Sequence, residues 1–109
     1  MALTEGTDYE IVGVVSNGVY NEIVVRTINT VDASDEIEID LTKYGIAKTG
    51  LLGVFGFIHT TANSVMAQEQ PTTAVSDGTV TITVGGSTDN KQRYYLVKGF
   101  HDPNPSSSL

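Results

Sequence analysis

The chain has 109 residues and a mass of 11.6 kDa, which is the size of a single domain. Thirteen acidic residues against six basic ones give a formal net charge of -7 and a pI near 4.5. This acidity argues against nucleic acid and anionic membranes as partners, since both require a basic surface. The absence of cysteine excludes disulfides, thiolate zinc sites and thiol nucleophiles.

No segment of the sequence suggests membrane insertion or secretion. The longest apolar run covers residues 51–58, whereas a bilayer-spanning helix needs about 20 apolar residues. The first six residues, MALTEG, lack both a basic and an apolar segment, so we expect no secretory signal peptide.

The composition favours an all-β fold. Valine, isoleucine and threonine supply 13, 8 and 14 residues, and these β-branched types are favoured in strands over helices. We predict one antiparallel β-sandwich or small barrel over residues 1–100, followed by a mobile tail over residues 101–109. The seven or eight predicted strands cover residues 9–15, 19–28, 36–41, 51–59, 65–69, 72–75, 79–84 and 92–100.

Turn signals separate several of these runs. Asn17-Gly18 and Asp77-Gly78 are hairpin signals, because both residue types tolerate the positive φ of a type I′ turn. Residues 42–50 interrupt the alternation, so we expect a turn or a short 3₁₀ segment there. The glycines at 50, 53 and 56 lie within an apolar strand, where we expect them to admit an aromatic ring or a bulge.

One predicted strand has an apolar side and an acidic side. Over residues 36–41, Ile37 and Ile39 alternate with Glu36, Glu38 and Asp40. Such a row of carboxylates is typical of a solvated face or a guarded sheet edge. A calcium site is the alternative, provided that Asp32 and Asp35 from the preceding loop add ligands.

Two predicted strands are apolar on both sides. In residues 51–59, Leu51, Phe55 and Phe57 alternate with another apolar set. In residues 92–100, Tyr94 and Leu96 alternate with Tyr95 and Val97. A strand of this kind is covered on its outer side either by a loop of the same chain or by another subunit. The second explanation predicts an oligomer or a docking surface.

The sequence contains no recognisable catalytic, cofactor-binding or metal-binding motif, so we predict no enzymatic activity and no cofactor. The sequence has neither the H-x-x-x-H or H-E-x-x-H spacing of histidine metal sites nor the G-x-S-x-G motif that positions a nucleophilic serine. His59 is in phase with Phe55 and Phe57, which is typical of a strand-end histidine hydrogen-bonded near the core. His101 begins the predicted tail, where we expect it to be solvated.

Charge is distributed unevenly along the chain. Residues 1–40 contain nine acids and one base, a sum of -8, whereas residues 41–109 contain four acids and five bases, a sum of +1. One acidic surface and one near-neutral, tyrosine-bearing surface would suit docking onto a basic or mixed protein lattice, although such a balance also serves solubility.

Three stretches resemble small β-rich virion proteins of tailed bacteriophages, and head decoration (cement) proteins most of all. They are GVFGFIHTTANSVM at residues 53–66, PTTAVS with TVTITV within residues 71–84, and STDNKQRYYLV at residues 87–97. The resemblance covers roughly residues 36–98 and lies in the general character of the sequence and in its size, rather than in a diagnostic motif. It implies a structural protein of the virion, made in the host cytoplasm, that binds the major capsid protein lattice, often as a trimer, and stiffens it.

If the chain docks in this way, we expect large aromatics to anchor the contact and acidic residues to lie near its rim. The expected anchors are Phe55, Phe57, Tyr94 and Tyr95, and the expected rim residues are Glu36, Glu38 and Asp40. The alternative function is a tail or fibre module that binds host glycans, in which Tyr20, Tyr44, Tyr94 and Tyr95 would stack on sugar rings.

Overall fold

The β-branched runs form eight strands in the computed structural model, which describes residues 1–86 and 88–102. All the strand pairs are antiparallel, and the all-β prediction is confirmed. The strands are β1 Tyr9–Ser16, β2 Tyr20–Thr27, β3 Glu36–Asp40, β4 Ile46–Thr61, β5 Val65–Gln68, β6 Thr72–Ser76, β7 Thr79–Thr83 and β8 Arg93–His101.

The strands form two sheets that enclose one core, which is the sandwich form of the prediction. The larger sheet has the order β1-β2-β8-β4-β5 and the smaller has the order β3-β7-β6. Residues from both sheets meet in a single apolar cluster, to which β3 and β7 contribute Ile37 and Ile82 and β2 and β8 contribute Ile23 and Val97. All four of these side chains are fully buried.

The predicted interruption at residues 42–50 is confirmed only in its first half. Leu41–Tyr44 form a 3₁₀ turn, which Asp40 caps by accepting a hydrogen bond from the Thr42 amide, and Gly45 ends the turn with a φ of 77°. Strand β4 then begins at Ile46, five residues earlier than predicted. Its pairing with β8 shifts register twice between Ile46 and Gly53, and these irregularities explain why the sequence does not alternate there.

The two hairpin signals form different turns. Asp77 and Gly78 have φ values of 50° and 79°, as a type I′ turn between β6 and β7 requires. In the β1–β2 hairpin only Gly18 has a positive φ, so the type I′ prediction is wrong there. The physical reason is the Asn17 side chain, whose Oδ1 accepts hydrogen bonds from the amides of Val19 and Tyr20, each at 2.9 Å.

Gly56 makes the close approach that was expected of a strand glycine. A Cβ atom at this position would lie 2.2 Å from the Glu69 carbonyl oxygen and 3.0 Å from the Tyr95 ring. Gly53, at a register shift, has open space where its Cβ would be. Only one of these glycines is therefore required by packing, while the other accompanies a bulge.

The β domain ends slightly later than predicted. His101 belongs to β8 and its Nδ1 lies 3.1 Å from Asn21 Oδ1, while the Asp102 amide donates to the Gly45 carbonyl. The remainder of the predicted tail, residues 103–109, lies outside the described residues. Within residues 1–86 and 88–102, no helix is long and apolar enough to cross a membrane.

Candidate functional site

The outer side of the five-stranded sheet carries a patch of aromatic and aliphatic side chains, which we call the aromatic face. Along β8, Tyr94 and Leu96 point outward and are half-buried, whereas Tyr95 and Val97 point into the core. The three central strands supply the patch because their pairing places the outward side chains side by side. The aromatic face comprises Val24, Phe55, Phe57, Tyr94 and Leu96.

Cross-strand pairing organises this face into two rows. Phe57 of β4 lies opposite Tyr94 of β8, and in the next row Phe55 lies opposite Leu96, which in turn neighbours Val24 of β2. Phe55 is 44% exposed, although it occupies a central strand of the sheet. No loop of the described chain covers it, so the outer side of the sheet presents apolar area to its surroundings.

The charged residues beside the aromatic face are paired with one another. Arg26 donates a hydrogen bond to Glu10, and this contact raises the pKa of the Arg26 guanidinium. Lys98 Nζ lies 3.9 Å from Glu22 and 4.3 Å from the centroid of the Tyr20 ring. Two acids and two bases sum to zero, so the rim of this face is neutral in a chain of charge -7.

A shallow depression of about 470 Å³ lies at one end of the aromatic face. The His59 ring stacks on Tyr94, with centroids 4.8 Å apart and planes inclined by 10°. His59 is buried, and its Nδ1 accepts a hydrogen bond from the Asn63 amide at 3.3 Å, in keeping with the expected hydrogen-bonded histidine. The depression is lined by Phe57, His59, Asn63, Met66, Tyr94 and Leu96.

The prediction that Tyr95 belongs to an outer docking surface is wrong. Its side chain is 1% exposed, because neighbouring residues of a strand point to opposite sides of the sheet. Burial raises the pKa of the Tyr95 phenol, and its hydroxyl has no hydrogen-bond partner among the described residues. Of the four tyrosines proposed for sugar stacking, Tyr44 lies elsewhere, in the 3₁₀ turn, and Tyr20 and Tyr94 share the outer side of the larger sheet.

The acidic row occupies the opposite side of the molecule from the one predicted for it. Glu36, Glu38 and Asp40 are exposed on the outer face of the three-stranded sheet, so they do not lie at the rim of the aromatic face. Their cross-strand neighbours on β7 are Thr83, Thr81 and Thr79. This side is therefore acidic and rich in hydroxyl groups, and we call it the acidic face.

Asp32 and Asp35 do not extend the acidic row into a calcium site. Asp35 is buried and accepts a hydrogen bond from the Asp32 amide at 3.0 Å, while Asp32 accepts one from the Asn90 amide at 2.9 Å. Both carboxylates thus stabilise the loop that contains them. In the part of the chain that the structure describes, no three histidine or acidic side chains lie close enough together to hold a metal ion.

The sequence pattern missed Val24 as a member of the aromatic face. Val24 alternates with Glu22 and Arg26, which makes its side of β2 look solvated. Leu96, in contrast, was predicted to share its side of β8 with Tyr94, and it lies there. The charges that border the face could not be found from the sequence, because their pairing depends on the order of the strands.

No family model, curated protein or solved structure matches this chain.

Proposed function

We propose that this chain is a non-enzymatic structural protein that binds a large protein assembly through its aromatic face. The assembly implied by the sequence resemblance is the head lattice of a tailed bacteriophage, on which the chain would act as a decoration protein. The proposal rests on one observation above all, which is the contrast between the two outer sides of the sandwich.

This contrast fits a protein that lies flat between a surface and water. The aromatic face offers Phe55, Phe57 and Leu96 for burial, and its rim charges cancel. The acidic face carries three carboxylates with threonine neighbours, and such groups remain well hydrated. Contact through the aromatic face would bury apolar area and leave the acidic side exposed, which would limit association between coated particles.

The aromatic anchors are expected to dominate the binding energy. Large aromatic side chains near the centre of an interface often contribute about 2 kcal/mol or more. Phe55 is the best exposed of them and lies in a central strand, which holds its backbone in place. The paired charges at the rim would orient the contact and add little affinity.

Co-sedimentation with capsid shells tests this proposal. The wild-type chain should pellet with shells that lack their decoration protein, and Phe55→Ala should weaken binding about 30-fold. Thr81→Ala, on the acidic face, is the matched control and should bind as the wild type does. A wild-type chain that stays in the supernatant, or equal losses for both variants, would contradict the proposal.

Glycan recognition is a second candidate, which the depression beside Tyr94 favours. An aromatic ring with polar neighbours is a common arrangement for holding a sugar, because the ring stacks on C–H groups while polar atoms bind hydroxyls. Tyr94 would supply the ring, and Asn63 borders the same depression.

A glycan array distinguishes this candidate from the first. Tyr94→Ala should abolish any glycan binding, whereas Tyr44→Ala, in the 3₁₀ turn, should retain it. Thermal melts of both variants establish that each is folded. A wild-type chain that binds glycans and does not bind capsid shells would favour this second function.

A further inference from the structure

The β1–β2 hairpin provides an uncharged, valine-rich edge to the five-stranded sheet. Residues 11–20 read IVGVVSNGVY and contain no charged side chain, although the chain carries a net charge of -7. The second half of β1, from Val12 to Ser16, is exposed throughout. Four valines of this hairpin are 40% to 63% exposed, namely Val12, Val14, Val15 and Val19.

The exposed valines of β1 lie on both sides of the sheet. Val14 is paired with Ile23, whose side chain is in the core, whereas Val15 is paired with Glu22 on the outer side. A partner placed on one side of the sheet would cover only one of these valines. A strand added beside β1 would contact both and would also pair with amides and carbonyls along the edge of the sheet, where β1 lies.

The other three sheet edges differ from β1 in ways that discourage pairing. Strand β3 bears the acidic row and is bridged by residues 1–3, where the Leu3 amide donates to the Glu36 carbonyl. Strand β5 has only four residues, and β6 has five, most of them hydroxyl-bearing, directly after Pro71. Charges, short length and proline are the usual means of protecting a sheet edge.

We propose that β1 pairs antiparallel with β1 of a second copy of this chain, around a twofold axis near Val14 and Val15. The pairing would join two five-stranded sheets into one ten-stranded sheet. It is self-complementary, because the valines of one copy meet the valines of the other.

Charge supports a second copy as the occupant of this edge. Two chains of charge -7 repel one another, and the repulsion is smallest where the contacting segments carry no charge. The first charged residues on either side of the segment are Glu10 and Glu22. Glu10 is paired with Arg26, and Glu22 is paired with Lys98. The pairing also places both aromatic faces on the same side, since a twofold axis normal to a sheet preserves its faces. The proposal stands independently of what the aromatic face binds.

Sedimentation velocity of edge variants tests the pairing. The wild-type chain should form a dimer at concentrations up to about 0.1 mM, and Val15→Lys should weaken it at least about tenfold, because two lysines would meet across the axis. Val75→Lys is the matched control, since Val75 is similarly exposed on the edge strand β6. It should sediment as the wild type does.

Cysteine cross-linking shows where the two copies meet. The sequence contains no cysteine, so one introduced thiol reports a single position. A disulfide forms when the two Cα atoms are about 4.4–6.8 Å apart, which the residue nearest the twofold axis satisfies. Val14→Cys or Val15→Cys should therefore give a covalent dimer on mild oxidation, whereas Val75→Cys should remain a monomer on a denaturing gel.

Three results would overturn the proposal. The first is a wild-type chain that remains monomeric at about 0.1 mM, and the second is an equal effect of Val15→Lys and Val75→Lys. The third is a closed trimer, because an antiparallel pair of identical strands is complete with two copies.

Discussion

Arg93 and Glu69 form an ion pair inside the molecule, with Arg93 Nε 2.6 Å from Glu69 Oε1 and the arginine side chain fully buried. The guanidinium also donates to the carbonyls of Val31 and Thr88, at 2.7 and 2.6 Å. These partners belong to three different connections between strands. One buried cation therefore holds together the loops at one end of the sandwich.

Removal of the carboxylate should be strongly destabilising. Glu69→Ala leaves the Arg93 charge buried without its counter-ion, so we expect the free energy of unfolding to fall by about 3–5 kcal/mol. Urea unfolding measures this change. Glu22→Ala removes the carboxylate of the more exposed pair with Lys98, and its cost should stay below about 1 kcal/mol. Similar losses in both variants would show that burial does not control the strength of the pair.

Gly56 and Gly53 provide a second matched comparison within one strand. Gly56→Ala places a methyl group against the Glu69 carbonyl, so we expect a loss of about 1–3 kcal/mol or more in unfolding free energy. At Gly53 a Cβ meets nothing within 4 Å, and Gly53→Ala should change stability by no more than about 0.5 kcal/mol. Thermal or urea unfolding of the two variants decides the matter, and equal stabilities would refute the packing argument.

The sequence predicted features set by alternation and local turn chemistry. Clean alternation identified the inward side chains of β3 and β7, and Asp77-Gly78 identified its turn. The sequence-based prediction misplaced Tyr95 and the acidic row. Two adjacent aromatics of a strand cannot be assigned to the inside or the outside unless it is known which side of their sheet the second sheet covers. Strand order, which positions both faces, depends on contacts between residues far apart in the chain.

The Arg93–Glu69 pair was also beyond the reach of sequence reasoning. A single arginine beside two tyrosines reads as an outward-facing charge at a strand end. Its burial depends on three carbonyl and carboxylate partners that the fold brings together from separate loops. Phe55 and Phe57, in contrast, were predicted on one side of their strand and lie there.

The buried hydroxyl of Tyr95, which has no hydrogen-bond partner among the described residues, allows the cost of an unsatisfied polar group to be measured. Tyr95→Phe removes a buried hydroxyl that has no described hydrogen-bond partner, so we expect unchanged stability or a gain of about 1 kcal/mol. Tyr9 is also buried, but its hydroxyl donates to the Glu38 carbonyl at 3.2 Å. Tyr9→Phe should therefore cost about 1 kcal/mol in a urea titration. A loss at Tyr95 as large as that at Tyr9 would indicate that the Tyr95 hydroxyl is satisfied in solution.

Buried tyrosines should also make the fold sensitive to alkali. Burial raises the pKa of Tyr95 and of Tyr9, so both remain protonated in the folded chain when unfolded tyrosines, with a pKa near 10, have begun to ionise. The unfolded chain then binds fewer protons than the folded one, and stability must fall as the pH rises above about 10. Below that value the contribution is fully present.

Urea unfolding at a series of pH values between about 9 and 11.5 measures the effect. Tyr95 alone should contribute a slope of up to about 1.4 kcal/mol per pH unit above pH 10, because its phenolate cannot be solvated in the core. Tyr95→Phe removes that contribution and leaves the other titrating groups in place, so the difference between the two curves isolates it. We expect the curves to run parallel below about pH 9 and to diverge above pH 10, with the variant losing less stability. Parallel curves across the whole range would mean that the Tyr95 phenol ionises as readily in the folded chain as in the unfolded one.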